Sequence, residues 1–173
     1  MDFSAMYRID KEDRVFIDTN ILIFLFSPDF VSSHEYQVDK YSKILELLLM
    51  NNNELYINSL VISEYINRCL RIDFEKNFQD KNRTKDFKRD YRDSERYTQT
   101  LRLIKKSLKK FLKQNVKQIN DGFEEIDILE ELNHLDKLDF NDLMIVKSIE
   151  TYGLKLLSDD GDFRGRVDID WYL

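Results

Sequence analysis

Residues 14–22 read Arg14-Val15-Phe16-Ile17-Asp18-Thr19-Asn20-Ile21-Leu22, and this stretch decides the fold. Val15, Phe16 and Ile17 form an unbroken apolar run, the pattern of a short strand buried on both faces. The strand is expected over 14–18, ending on a carboxylate. Asn20 is then expected to cap a helix over 21–26 that stops near Pro28.

Further along, helical spacing of Tyr41, Ile44, Leu45 and Leu48 predicts a helix over 39–50, broken by Asn51-Asn52-Asn53. A second strand is expected over 55–57 and a helix over 59–72 that carries Glu64 in its early turns. Leu101, Ile104, Leu108, Phe111, Leu112, Val116 and Ile119 make an apolar stripe at helical spacing. A third strand is expected over 123–128 and a short helix over 129–135. Asn141 is expected to cap a helix running to Tyr152, with Gly153 as its left-handed stop. A fourth strand over 155–158 and a last one over 167–172 complete the pattern. Strands alternating with helices imply a parallel sheet covered by helices on both faces.

The chain has 173 residues, a length that suits one domain over 1–173. At 42% hydrophobic it can build a core, while 35% charged exceeds the roughly 25% of an average globular protein. No apolar run approaches the ~18–20 residues of a membrane span. Met1-Asp2-Phe3-Ser4 lacks the basic start of a secretory signal. The single cysteine, Cys69, excludes an internal disulfide and reads as a core thiol, so a cytoplasmic location is expected. His34 and His134 read as surface or turn residues.

The net charge of −6 hides a division. Between Lys76 and Lys117 there are fifteen Lys/Arg against five Asp/Glu, a net of +10 that leaves −16 on the rest. A basic helical insertion is therefore expected at about residues 76–118. Lys105, Lys106, Lys109, Lys110 and Lys113 are its candidate nucleic-acid contacts.

In a parallel sheet the C-terminal strand ends share one edge, where ligands bind. Asp18 ends the first strand, and Asp159 and Asp160 follow the fourth. Glu64 and Asp142 lie near helix starts, which face that same edge. Carboxylates packed together resist joint ionisation, and a hard divalent cation removes the cost. With no cysteine cluster and two distant histidines, the ligand set is oxygen only, which favours Mg²⁺ or Mn²⁺ over zinc. The partner of such a site is a phosphate oxygen.

Val15-Phe-Ile-Asp-Thr-Asn-Ile-Leu22 resembles the opening motif of PIN-domain nucleases. Ser63-Glu64 matches the second acidic position, and Asp139-Phe-Asn-Asp142-Leu-Met-Ile resembles the third motif. Leu156-Leu-Ser-Asp-Asp-Gly-Asp-Phe163 resembles the fourth, with Asp160, 18 residues after Asp142, in the acidic place. The resemblance covers residues 14–75 and 123–172 and leaves the basic block unmatched. It implies a PIN-like three-layer α/β/α fold with a central parallel β-sheet. It also implies metal-dependent cleavage of phosphodiesters, most often in RNA. Asp18, Glu64, Asp142 and Asp160 would be the catalytic metal ligands. Thr19, Asn20 and Ser158 would orient them, with Asp162 an accessory and Asp159 a neighbour. Many small bacterial members are VapC-type toxins, which implies a small antitoxin protein and a homodimer as partners besides RNA.

Two other readings compete. A haloacid-dehalogenase-like phosphatase also starts with a strand ending in aspartate and has a late acid pair. It needs a second aspartate two positions after the first, where this chain has Asn20. A non-catalytic RNA- or protein-binding module with a vestigial cleft is the other.

Overall fold

Val15, Phe16 and Ile17 are at most 1% exposed, which makes their strand, β1 (Arg14–Ile17), the middle of the fold. In the computed structural model, which describes residues 9–28, 34–79, 84–134, 138–163 and 171–172, it is followed by α1 (Thr19–Phe26) and α2 (Glu35–Met50). The chain then forms β2 (Glu54–Ile57) and α3 (Ser59–Asp73). Two π-helical turns, Phe74–Phe78 and Phe87–Tyr91, lead to α4 (Glu95–Phe111) and β3 (Val116–Gln118). After them come α5 (Ile128–Glu131), α6 (Phe140–Tyr152), β4 (Lys155–Leu157) and β5 (Trp171–Tyr172).

All five strands are parallel, in the order β3-β2-β1-β4-β5. Every parallel connection needs a crossover, and right-handed crossovers fix the layers. From β1 to β3 the chain moves one way along the sheet, so α1 to α4 pack together on one face. From β3 to β4 it reverses, which sends α6 to the other face. The result is the three-layer α/β/α fold expected from the sequence.

Several local readings are corrected. Asp18, not Asn20, is the N-cap of α1, because its carboxylate accepts from the Thr19 N–H and the helix begins two residues earlier than expected. Asp139, not Asn141, caps α6 by accepting from the Asp142 N–H at 2.9 Å. The third strand is Val116–Gln118, and the stretch expected as a strand holds instead a 3₁₀ turn, Phe123–Glu125. Helix α4 therefore stops at Phe111, and Val116 belongs to the sheet rather than to the helical stripe. The basic block is thus helical for most of its length, but its last residues form an edge strand. Helix α2 starts at Glu35 rather than at 39. The short helix ends at Glu131 and continues as a 3₁₀ turn, Leu132–His134. Residues 1–4, 135 and 167–170 lie outside the described residues, so of the expected last strand only Trp171–Tyr172 is described.

Gly153 stops α6 as expected, with φ +60°, a backbone region that L side chains rarely adopt. The Arg14 guanidinium donates to the Tyr152 and Gly153 carbonyls and ties this stop to the start of β1. Among the described residues no helix is long and apolar enough to cross a membrane. Cys69 is buried in the core, as read from the sequence.

Candidate functional site

The pairing of β1 with β4 puts the ends of the two strands side by side. The Asp18 N–H donates to the Leu157 carbonyl at 3.1 Å, which brings Asp18 against Ser158. Ser158 Oγ donates to Asp18 Oδ2 at 2.6 Å, and the Thr19 N–H donates to Oδ1 at 2.6 Å. Burial pushes the Asp18 carboxyl up to about 6, against the pull of those two hydrogen bonds, and the charges of Glu64 and Asp160 add to the rise.

Glu64 reaches the same place from α3. Its carboxylate accepts from Thr19 Oγ1 at 3.0 Å and from Arg68 at 3.3 Å. Asp142 stands in the first turn of α6. Burial first, then the charges of Asp139, Asp18 and Asp160, push its carboxyl up to about 7. Glu64 and Asp160 thus act by their charge on Asp18, and Asp18 and Asp160 on Asp142, from four separate elements.

Ser158 is the hub of the remaining contacts. Besides donating to Asp18, its oxygen accepts from Asn20 Nδ2 at 3.2 Å and from the Asp160 N–H at 2.9 Å. Asn20 Oδ1 accepts from the Asp159 N–H at 3.3 Å. The Asp159 side chain itself accepts from the Tyr41 hydroxyl at 2.5 Å. Asp162 is exposed and donates its N–H to Asp160 Oδ1 at 2.9 Å. Asp159 is therefore tied to α2, while Asp160 acts by its charge on Asp18 and Asp142.

Lys105, Lys106, Lys109, Lys110 and Lys113 are exposed but stand elsewhere. Helix α4 runs into β3 through Asn115, whose carbonyl accepts from the Leu55 N–H at the start of β2. The lysine-rich end of α4 therefore meets the N-terminal edge of the sheet, opposite the carboxylates. Three site neighbours escaped the sequence reading: Asp139, Tyr41 and Arg68. Only Asp139 had a local signal, the three-residue spacing to Asp142 of a helix cap. Tyr41 and Arg68 are brought in by tertiary packing and by a helical turn.

The donor set is oxygen only, carboxylates backed by hydroxyls, and its crowded charge suits a hard divalent cation such as Mg²⁺ or Mn²⁺. Among the described residues no three His, Cys, Asp or Glu side chains already close on one point. Asp18 and Glu64 spend oxygens on Thr19, Ser158 and Arg68, so binding a cation exchanges some of these bonds.

A solved structure of VapBC2 from Rickettsia felis, bound to a DNA fragment from their promoter, superposes with a TM-score of 0.52 at 20% identity. The match covers 91% of this chain and 96% of that one, and it speaks to the fold. No curated protein matches the chain at a significant level. The family profile described as PIN domain matches residues 15–168, from the strand before Asp18 to beyond Asp160, and the chain therefore belongs to the PIN domain family.

Proposed function

We propose that this PIN domain is a Mg²⁺-dependent endoribonuclease, a VapC-type toxin or a related stress or defence nuclease acting in the cytoplasm. PIN domains are generally metal-dependent nucleases, which supports the reaction class. The observation that carries the reading is that Glu64 and Asp160 bear by their charge on Asp18, and Asp18 and Asp160 on Asp142, at one sheet edge. In this reading residues 1–173 form a single domain, and the basic block expected as an insertion is built into it through α4 and β3.

Asp18, Glu64, Asp142 and Asp160 would hold the cation, Mg²⁺ or Mn²⁺. When bound, it supplies positive charge to a phosphodiester and acidity to water. The chain's own part is positioning. Ser158 and the Thr19 N–H fix the plane of the Asp18 carboxylate, the Thr19 hydroxyl holds Glu64, and Asn20 fastens the turn that carries Asp160. Asp162 supports Asp160 through its backbone. Lys105, Lys106, Lys109 and Lys110 of α4, with Lys113 just beyond it, act at a distance as a positive field that draws a long RNA. The VapBC2 likeness fits a small antitoxin as partner, and a homodimer belongs to the same reading.

The test is RNA cleavage by purified protein with Mg²⁺, with chelator, and with Asp18→Asn or Asp142→Asn. Cleavage by the wild type with Mg²⁺ and its loss with chelator or in either variant are expected, and full cleavage by either variant would overturn the assignment. The spent oxygens of Asp18 and Glu64 favour the rival reading, a vestigial cleft that binds without cutting. Folded wild-type protein that binds RNA and never cleaves it would establish that rival.

A further inference from the structure

The carboxylates along the sheet edge form a row with a cation at each end. Strand order puts β1 between β2 and β4. Glu64, on the helix after β2, and Asp159, in the turn after β4, therefore stand on the two sides of Asp18. On the first side Arg68 donates to Glu64 at 3.3 Å, and Thr19 links Glu64 to Asp18. On the second side Lys40 Nζ donates to the Tyr41 hydroxyl at 3.3 Å, and that hydroxyl donates to Asp159.

Both cations keep donors to spare. The Arg68 side chain is 53% exposed, and of the five N–H donors of its guanidinium one goes to Glu64. The Lys40 ammonium has three donors and gives one to Tyr41, whose ring centroid lies 4.9 Å away and keeps it beside the row. Among the described residues no carboxylate forms a salt bridge with Lys40. An exposed pair one helical turn apart, such as Arg68 with Glu64, adds little to stability, so the fold does not account for the cation there.

The lysines of α4 stand at the other pole, so a polyanion drawn to this one meets Asp18, Glu64, Asp142, Asp159 and Asp160 in close order. A divalent ion offsets that charge for one phosphate and leaves its neighbours along the strand opposed. Fixed positive charge is needed at the two ends of the row, where Arg68 and Lys40 are found. The guanidinium can pair two phosphate oxygens at once, and the ammonium acts as a point charge.

We propose that Arg68 and Lys40 each bind a backbone phosphate, one on either side of the phosphodiester that lies over Asp18. The substrate bond is then an internal one, flanked by phosphates on both sides. The inference rests on the nuclease reading, since it takes the strand to cross the carboxylates.

Anisotropy of a short labelled single-stranded RNA tests this, with Ca²⁺ in place of Mg²⁺; where the strand is cut, KM replaces Kd. Arg68→Gln and Lys40→Gln should each bind several-fold more weakly, and each should lower the slope of log affinity against log salt by about 0.7. The double variant should lower it by about 1.4. Arg68→Lys keeps the charge and should keep the slope. Lys11→Gln removes an equal charge just before β1, at the far pole, and should change neither quantity. Folded Arg68 and Lys40 variants that bind like the wild type overturn the proposal, as does equal weakening by Lys11→Gln or a wild type with no affinity for RNA. Wild-type protein that cuts RNA with Mg²⁺ while both variants keep its affinity sinks this proposal alone. Affinity that depends on Arg68 and Lys40, without any cutting, sinks the nuclease reading and leaves the phosphate contacts standing.

Discussion

The Tyr41 hydroxyl donates a 2.5 Å hydrogen bond to Oδ1 of Asp159, joining α2 to the turn after β4 across 118 residues of sequence. Tyr41 is fully buried, so the bond holds that turn at a fixed height beside Ser158. It also separates two adjacent aspartates, one anchored to a helix and the next coupled to the carboxylate cluster. Asp159→Asn is expected to retain most RNA cleavage while Asp160→Asn loses it. Equal loss in both, measured on folded protein, would contradict this division.

Tyr41→Phe removes the donor and leaves the ring. Half-buried Asp159 recovers part of its solvation, so the expected cost is about 1–2 kcal/mol. Urea denaturation measures it, and an unchanged midpoint would contradict the anchoring role.

Asp18 and Asp142 have carboxyls raised to about 6 and about 7. The folded chain therefore keeps protons that the unfolded chain releases near pH 4. Their stabilising effect is complete below that value and is lost as pH rises through 6 to 7. Without divalent cations, stability should fall from pH 5 to pH 8. Added Mg²⁺ should raise the melting temperature more at pH 8 than at pH 5, since protons compete for the same oxygens. The opposite order in a thermal melt would exclude cation binding there.

Asp142→Asn should separate stability from activity. It removes one of the mutually repelling charges, so the cation-free protein should melt higher at pH 8. RNA cleavage should drop by roughly 100-fold or more. A variant both less stable and inactive would mean that Asp142 serves the fold.

Asp73 shows the reverse electrostatics. Burial alone would raise its carboxyl, but hydrogen bonds from Arg96, Tyr91, Thr100 and Asn77 outweigh it and hold the group at about 2. Its stabilising effect is present above the ordinary carboxylate range near 4 and is lost as pH falls through 2. Asp73→Ala leaves the buried hydroxyls of Tyr91 and Thr100 without their acceptor and should cost about 3 kcal/mol. Chemical denaturation checks it.

The centre of the fold was legible because both faces of β1 are covered, so its apolar run is unbroken and Asp18 follows at once. Gly153 was legible for a similar reason, since a left-handed stop admits few other residues. Strand β3 was not. It is three residues at a sheet edge, and Lys117 and Gln118 are exposed, so no alternation reaches the sequence. The stretch 123–128 reads as a strand from Phe123, Ile126 and Ile128, but among the described residues it has no pairing partner in the sheet. The caps were misplaced by two residues because Asp and Asn serve equally well there, and only hydrogen-bond geometry chooses. Of the candidate site, the approach of Asp18, Glu64, Asp142 and Asp160 to one sheet edge follows from their places at strand ends and helix starts. The link from Tyr41 to Asp159 could not, because nothing local announces a contact over that distance.

The detour that begins at Phe74 rejoins the sheet at Asn115, where its carbonyl closes on Leu55 at the pole away from Asp18. That return makes the segment a wall of the body and no appendage: Phe74, Tyr91, Ile104 and Phe111 are buried in the core, so exchanging it whole would open the interior, whereas its outward lysines could be changed one at a time while the carboxylate pole keeps its architecture.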